Sequence, residues 1–266
     1  MPVDPEFVIC DLDGVVWLSH NPIPGSVDAV ARLRAAGRRV VFVTNNSSLR
    51  RADQEASLAA IGIPAAGDVF TSAAAAAALL RPGERVLVCG GAGVTEAVDT
   101  IGATAIPGDD DSGTDADAVV VGFHREFDYE RLRIAATAAR NGARLIATND
   151  DATYPTPTGP IPGGGAILAA VATAAGVVPV IAGKPYPPMV DAVLDLLGRP
   201  DPKRLLVVGD RASTDGRFAA ALAAPFALVR SGVTAATVDV DVPVAIDAPD
   251  LAAVASTLEG RPAGDR

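Results

Sequence analysis

The sequence predicts an α/β protein in which helices cover parallel sheets, and three observations carry that prediction. Apolar runs of strand length alternate with alanine-rich stretches of helix length along the chain. The first run, Phe7 to Cys10, is apolar on both faces, as a strand buried inside a parallel sheet is. Small polar residues and glycines stand where helices would start and stop.

Taken in order, the first strand covers 7–11 and runs into Asp11 and Asp13, which point to the same side if the extended geometry persists. Ser26 is placed to cap a helix with Val27, Val30 and Leu33 on one face and Gly37 at its end. "RVVFVT" (39–44) is the second strand, followed by Asn45, Asn46, Ser47 and Ser48, whose serines can cap the next helix. Ser72 is placed to cap a helix over 73–81, which Pro82-Gly83 stops. Further strands fall at 85–89, 118–122, 144–148, 178–182, 204–209 and 226–229. The uncharged segment 166–183 is cut by Gly176 and Pro179, so it reads as helix, turn and strand, not as a membrane span. Two Gly/Pro-rich stretches, Arg81 to Gly83 and Gly183 to Pro188, bracket a block with its own strands and helices. The tail from Gly260 reads as disordered.

At 266 residues the chain can bury a large core. Acidic residues outnumber basic ones 32 to 22, for a formal charge of −10. That argues against a nucleic-acid partner, which needs concentrated Lys and Arg. No basic amphipathic helix suggests a membrane surface. "MPVDPEF" lacks the features of a signal peptide, and Cys10 and Cys89 lie inside apolar runs as buried free thiols. A cytoplasmic location is therefore expected. With only His20 and His124, a histidine-rich metal site is excluded.

Function is legible at the strand ends, because ligands in open α/β sheets sit beyond the carboxyl ends of strands. The first offers Asp11 and Asp13, the second Thr44, Asn45 and Asn46. "VIAGKP" offers Lys184, and "LLVVGDRASTD" offers Asp210 and Asp215. Two carboxylates as close as Asp11 and Asp13 are costly unless a cation lies between them or one is protonated. Phosphoryl transfer through an aspartyl-phosphate needs this set. A carboxylate attacks phosphorus, and Mg²⁺ bridges it to the dianionic phosphate. Asp11 and Asp210 would supply charged metal ligands and Asp13 its main-chain carbonyl, leaving the Asp13 side chain to protonate the leaving oxygen. Thr44 and the amides after it would hold phosphoryl oxygens, and Lys184 would neutralise their charge.

The order "DLDGVVW … VTNNSS … GKP … GDRASTD" resembles the haloacid dehalogenase superfamily, in the branch of capped phosphatases. "PIPG" at 22–25, "ATND" at 147–150 and "SGVT" at 231–234 add to the likeness. The resemblance implies a Rossmann-like core over 1–75 and 183–266, with an inserted α/β cap over 76–182. It implies Asp11 as nucleophile, Asp13 as acid and base, Thr44 and Lys184 as phosphate ligands, and Asp210 as metal ligand. Asp215 matches the later acidic position, counted with the metal residues although in the family it usually lies closer to a bound water or to Lys184 than to the metal. The cap, through residues near Asp150, Asp151 and Tyr154, would close over the leaving group of a small phosphorylated metabolite, phosphoglycolate- or glycerol-phosphate-like. A homodimer through the cap is part of the same expectation. Departures are Ser213 and Gly216 in "GDRASTDG", Asp150 where proline is common, and His124 where aspartate is common.

Two rival functions follow from other features. "VCGGAGVTEA" (88–97) has a strand, glycines and a helix, as a nicotinamide-binding oxidoreductase would. Glu96, however, occupies the place of the third glycine, so a tight turn is expected. A binding protein that keeps the fold without turnover is the other rival. His124 is expected at the surface, Trp17 and Tyr154 in packing or rim positions, and Gly164 and Gly165 in a turn whose amides could face substrate.

Overall fold

A computed structural model describes residues 3–154, 156, 159–234 and 240–260. The expected disordered tail lies, apart from Gly260, outside the described residues. The chain divides into two compact units: Met1–Thr44, Gln54–Phe70 and Val193–Arg266 form the first, and Asn45–Asp53 with Thr71–Ala192 the second.

The first unit is built on a six-stranded sheet in the order Ile246–Ala248, Phe226–Val229, Leu205–Gly209, Phe7–Cys10, Arg39–Thr44, Val69–Thr71. Phe7–Cys10 pairs in parallel with both neighbours, setting Ile9 opposite Val207 on one side and Val41 on the other. Its apolar run is explained by that central place, since Val8, Ile9 and Cys10 are all buried. Strand order reverses at this strand: the chain steps to one side for Arg39–Thr44 and to the other for Leu205–Gly209. A crevice therefore opens at its carboxyl end, where Asp11 begins. Helices Ser26–Ala35 and Leu251–Glu259 pack on the sheet through Val30, Leu33, Leu251 and Val254.

The second unit carries a five-stranded sheet in the order Val180–Ile181, Arg144–Ala147, Ala118–Val121, Arg85–Cys89, Thr104–Pro107, all parallel. Helices Tyr129–Arg140 and Gly164–Ala175 bury Ile134, Ala138, Leu168 and Val171 against it. No described helix is long and apolar enough to cross a membrane.

Three local expectations are corrected. Ser26 is not the cap of its helix: Gly25 holds that place, and the Ser26 hydroxyl donates to the Val16 carbonyl at 2.7 Å. Thr71, not Ser72, caps the following helix by accepting from Ala74 N at 3.2 Å. Ser72 instead donates to the Asn45 carbonyl, and the helix is only Ser72–Ala77. His124 is buried, not at the surface, with Nδ1 3.1 Å from the Gly122 carbonyl and an edge-on contact to Phe127. Within the two large sheets the unpredicted strands, Val69–Thr71, Thr104–Pro107 and Ile246–Ala248, are all at sheet edges. Edge strands are short and bury few residues, so they leave no apolar run to detect.

Both cysteines are buried and free, as expected. Burial pushes the Cys89 thiol up to about 12, because a thiolate would be stripped of water there. Since only the thiolate is nucleophilic, Cys89 should resist alkylation in native protein at pH 8 and react once the protein is unfolded. The unfolded thiol ionises near pH 8.5, so this group lowers stability as pH rises above that value. A thiol titration with and without denaturant, read by mass spectrometry, checks the first statement.

Candidate active site

Each first-unit residue of interest follows the carboxyl end of a strand near the reversal. Asp11 follows Phe7–Cys10, and its amide donates to the Val208 carbonyl at 2.9 Å, which continues the ladder one residue past the strand. Thr44 ends Arg39–Thr44 and is buried. Asp210 follows Leu205–Gly209 and is 3% exposed; Asp215, in the π-helical turn Ala212–Gly216, is 2% exposed. Carboxylate oxygens of Asp11, Asp210 and Asp215 all lie within 4.8 Å of one another. The carboxylate of Asp13, two residues beyond Asp11, is not part of that group.

Three carboxylates so close repel strongly. At 4.8 Å a pair of unit charges costs on the order of 3 kcal/mol at an effective dielectric constant of ~20, less where water reaches half-buried Asp11. The arrangement fits a hard divalent cation, whose preferred ligands are carboxylate oxygens. The backbone is shaped around it. A Cβ on Gly14 would fall 2.5 Å from Asp210 Oδ2, and one on Gly232 would fall 2.0 Å from the same atom. Gly14 is doubly constrained, for its φ of +89° is strained for any residue with a side chain. The Val233 amide donates to Asp210 Oδ2 at 2.6 Å, and the Ser231 hydroxyl donates to the Gly14 carbonyl at 2.7 Å. Asp215 Oδ2 accepts from the Arg211 amide at 3.2 Å. The departure at Gly216 has a packing reason: a Cβ there would lie 2.6 Å from Val242 Cγ2.

The second unit gathers the remaining residues. Asn45 is its hub. Its Nδ2 donates to Asp151 Oδ2 at 3.0 Å and to the Lys184 carbonyl at 3.1 Å, while its Oδ1 accepts from the Lys184 amide at 2.8 Å. The Asn45 carbonyl accepts from Asn149 Nδ2 at 2.8 Å. The amide side chain of Asn45 therefore clamps the loop that carries Lys184, which is itself buried. Asn46 Oδ1 accepts from the Ser48 amide and hydroxyl, and its Nδ2 reaches Tyr154 Oη at 3.4 Å. Tyr154 stacks on Phe123 with ring centroids 5.2 Å apart. Asp150 is exposed and accepts from the Tyr186 hydroxyl. Ser47 pairs with Thr148 at 2.9 Å, and the next helix begins only at Arg51. Gly164 and Gly165 are close-packing positions: a Cβ on Gly165 would fall 2.2 Å from the Asp150 carbonyl oxygen.

The glycine-rich turn after Arg85–Cys89 has no room for a pyrophosphate. A Cβ on Gly91 would lie 2.6 Å from the Ser48 carbonyl oxygen, and one on Gly93 would lie 2.1 Å from that of Leu49. The Gly93 amide donates to Ser48 O at 3.2 Å, and Glu96 accepts from the Arg51 amide at 2.7 Å. The helix start that a dinucleotide would occupy is filled by the chain's own segment 48–51.

Comparison with known proteins identifies the family. Residues 8–104 match the family model described as haloacid dehalogenase-like hydrolase, and 181–258 match a second, HAD-hydrolase-like model. The 5'-nucleotidase YutF of Bacillus subtilis is 34% identical over 85% of this chain and 87% of its own length. The chain belongs to the haloacid dehalogenase-like hydrolases. D-glycerol 3-phosphate phosphatase of Mycobacterium tuberculosis is 38% identical to this hydrolase over 87% of the chain, which spans 64% of that relative's length. A crystal structure of a glycerol phosphate phosphatase from Mycobacterium tuberculosis, in complex with calcium, superposes with a TM-score of 0.82 at 34% identity. It covers 94% of this chain and 74% of its own.

Proposed function

We propose that this hydrolase is a Mg²⁺-dependent phosphomonoesterase acting on a small phosphorylated metabolite through an aspartyl-phosphate. The observation that carries the proposal is the group formed by Asp11, Asp210 and Asp215 at the strand-order reversal of the first sheet. The named activities of its relatives, on D-glycerol 3-phosphate and on 5'-nucleotides, support a phosphate ester as substrate. We assign 1–75 and 183–266 to the catalytic core and 76–182 to an inserted cap, and place the protein in the cytoplasm.

In this mechanism an oxygen of Asp11 attacks phosphorus as the ester P–O bond breaks, and Asp13 gives its proton to the departing oxygen. Asp13, now a carboxylate, takes a proton from water, whose oxygen attacks the same phosphorus. The Asp11–phosphorus bond breaks and phosphate leaves. Thr44 and the amides of Asn45 and Asn46 hold phosphoryl oxygens, Lys184 offsets their charge, and Asn45 positions Lys184 through its main chain. Asp11, Asp210, Asp215 and the Asp13 carbonyl would hold the divalent ion, which would supply neutralisation of the charge on the phosphate.

Turnover of p-nitrophenyl phosphate with Mg²⁺, with chelator and after Mg²⁺ is restored tests the function. Activity that survives exhaustive chelation would defeat the metal requirement. Asp13→Asn should slow alkyl phosphates far more than p-nitrophenyl phosphate, because p-nitrophenolate leaves without help from an acid. Equal slowing of both substrates would remove Asp13 from the proton-donor role.

A further inference from the structure

A cavity of about 280 Å³ lies within the second unit, and none of the residues assigned to the phosphatase mechanism lines it. That is just below the range for small-ligand pockets, ~300–1,000 Å³, so only a small ligand fits. Its lining comes from the carboxyl ends of three adjacent strands: Val88 and Gly90 from Arg85–Cys89, Pro107 to Asp109 from Thr104–Pro107, and His124 and Glu126 from Ala118–Val121. This sheet also reverses strand order, with Thr104–Pro107 on one side of Arg85–Cys89 and Ala118–Val121 on the other. A crevice beyond the carboxyl ends at such a reversal is where open α/β sheets take ligands.

The chemistry of the wall is one-sided. His124 is 8% exposed and lines the cavity. Its Nδ1 faces the Gly122 carbonyl at 3.1 Å, and a carbonyl only accepts, so Nδ1 carries the hydrogen. In the neutral ring Nε2 is then an acceptor, and among the described residues it has no hydrogen-bond partner. Arg131, the one cation in the lining, has both terminal nitrogens engaged, by Asp109 at 2.7 Å and by Asp128 at 2.8 Å. Glu126 adds a carboxylate that no lining cation balances. The floor is apolar, formed by Val88, Ala105 and Ile106. The lining thus sets two carboxylates, Asp109 and Glu126, against one guanidinium, so its net charge favours a cationic donor over an anion.

We propose that this cavity binds a small organic cation, an ammonium group on a short aliphatic body. The ammonium donates to His124 Nε2 and Glu126, and the alkyl part covers Val88 and Ile106. The test uses butylammonium chloride as probe on the full chain, with sodium chloride and sodium butyrate as controls. Backbone amide NMR shifts of Gly90, Thr95, Gly108 and Glu126 report occupancy. Butylammonium should give saturable shifts confined to these residues, with Kd of order 1 mM for so few atoms, and butyrate should give none. Glu126→Gln, at an exposed position that leaves the fold intact, should weaken binding about tenfold or more, as loss of a charge-assisted hydrogen bond does. His124→Asn should weaken it as well, with an unchanged thermal midpoint confirming that the unit is folded. Absence of saturation, equal shifts with butyrate, or undiminished affinity in Glu126→Gln would each overturn the proposal. None of these outcomes depends on phosphatase turnover.

Discussion

Asp11→Asn should lower turnover of any phosphate ester by at least about 10³-fold while leaving the protein folded, since removing a covalent nucleophile removes the route. The stability half of this expectation is the more specific one. Asp11 sits within 4.8 Å of the Asp210 and Asp215 carboxylates, so without a cation its charge is a cost to the folded state. The amide is nearly the same shape, and the main-chain bond from the residue 11 amide to the Val208 carbonyl is kept. In chelator, then, the variant should melt no lower than the parent, and the stabilisation that Mg²⁺ gives the parent should shrink in the variant. Thermal unfolding of both proteins, with and without Mg²⁺, measures this. A variant that melts well below its parent in chelator would mean that Asp11 is held by favourable contacts, not by the need for a cation. Retained turnover would dismiss it as nucleophile.

The parts of this fold that could be read in advance are those written locally. Phe7–Cys10, Arg39–Thr44, Arg85–Cys89 and Phe226–Val229 fall where apolar runs predict strands, because a central parallel strand must be apolar throughout. Asp11, Thr44 and Asp210 were legible because a polar group directly after such a run marks a sheet's carboxyl edge. What stayed hidden depends on pairs far apart in sequence. Asn45 reads as one more polar residue of a strand end; its role as a clamp rests on Asp151 and Lys184, more than a hundred residues away. His124 is a different case: its contacts to the Gly122 carbonyl and the Phe127 ring are local, but Arg125 and Glu126 directly after it mask its burial in the sequence pattern. "SGVT" could be noticed as a string, yet nothing local says that Gly232 rests on a carboxylate from another strand. A missing side chain leaves no pattern to read.

That glycine supports the second large effect. Gly232→Ala should raise the Mg²⁺ concentration needed for half-maximal turnover by about 10- to 100-fold, the usual cost of disturbing a group that orients a metal ligand. The clash is not with the far end of a flexible chain. A Cβ at position 232 would lie 2.0 Å from Asp210 Oδ2, 2.5 Å from its Cγ and 2.7 Å from its Cβ, so the whole side chain must move. Moving it also breaks the 2.6 Å bond from the Val233 amide, which fixes the direction of the carboxylate. The backbone of Gly232 needs no left-handed geometry, so the fold should tolerate the methyl group. Gly14→Ala makes the control comparison. It presses on the same carboxylate at 2.5 Å but also forces a φ of +89° on alanine, so it should lose stability as well as metal affinity. If Gly232→Ala shows parental Mg²⁺ dependence and parental turnover, Asp210 is not a metal ligand. The acidic group would then be a charged cluster that some other interaction holds in place.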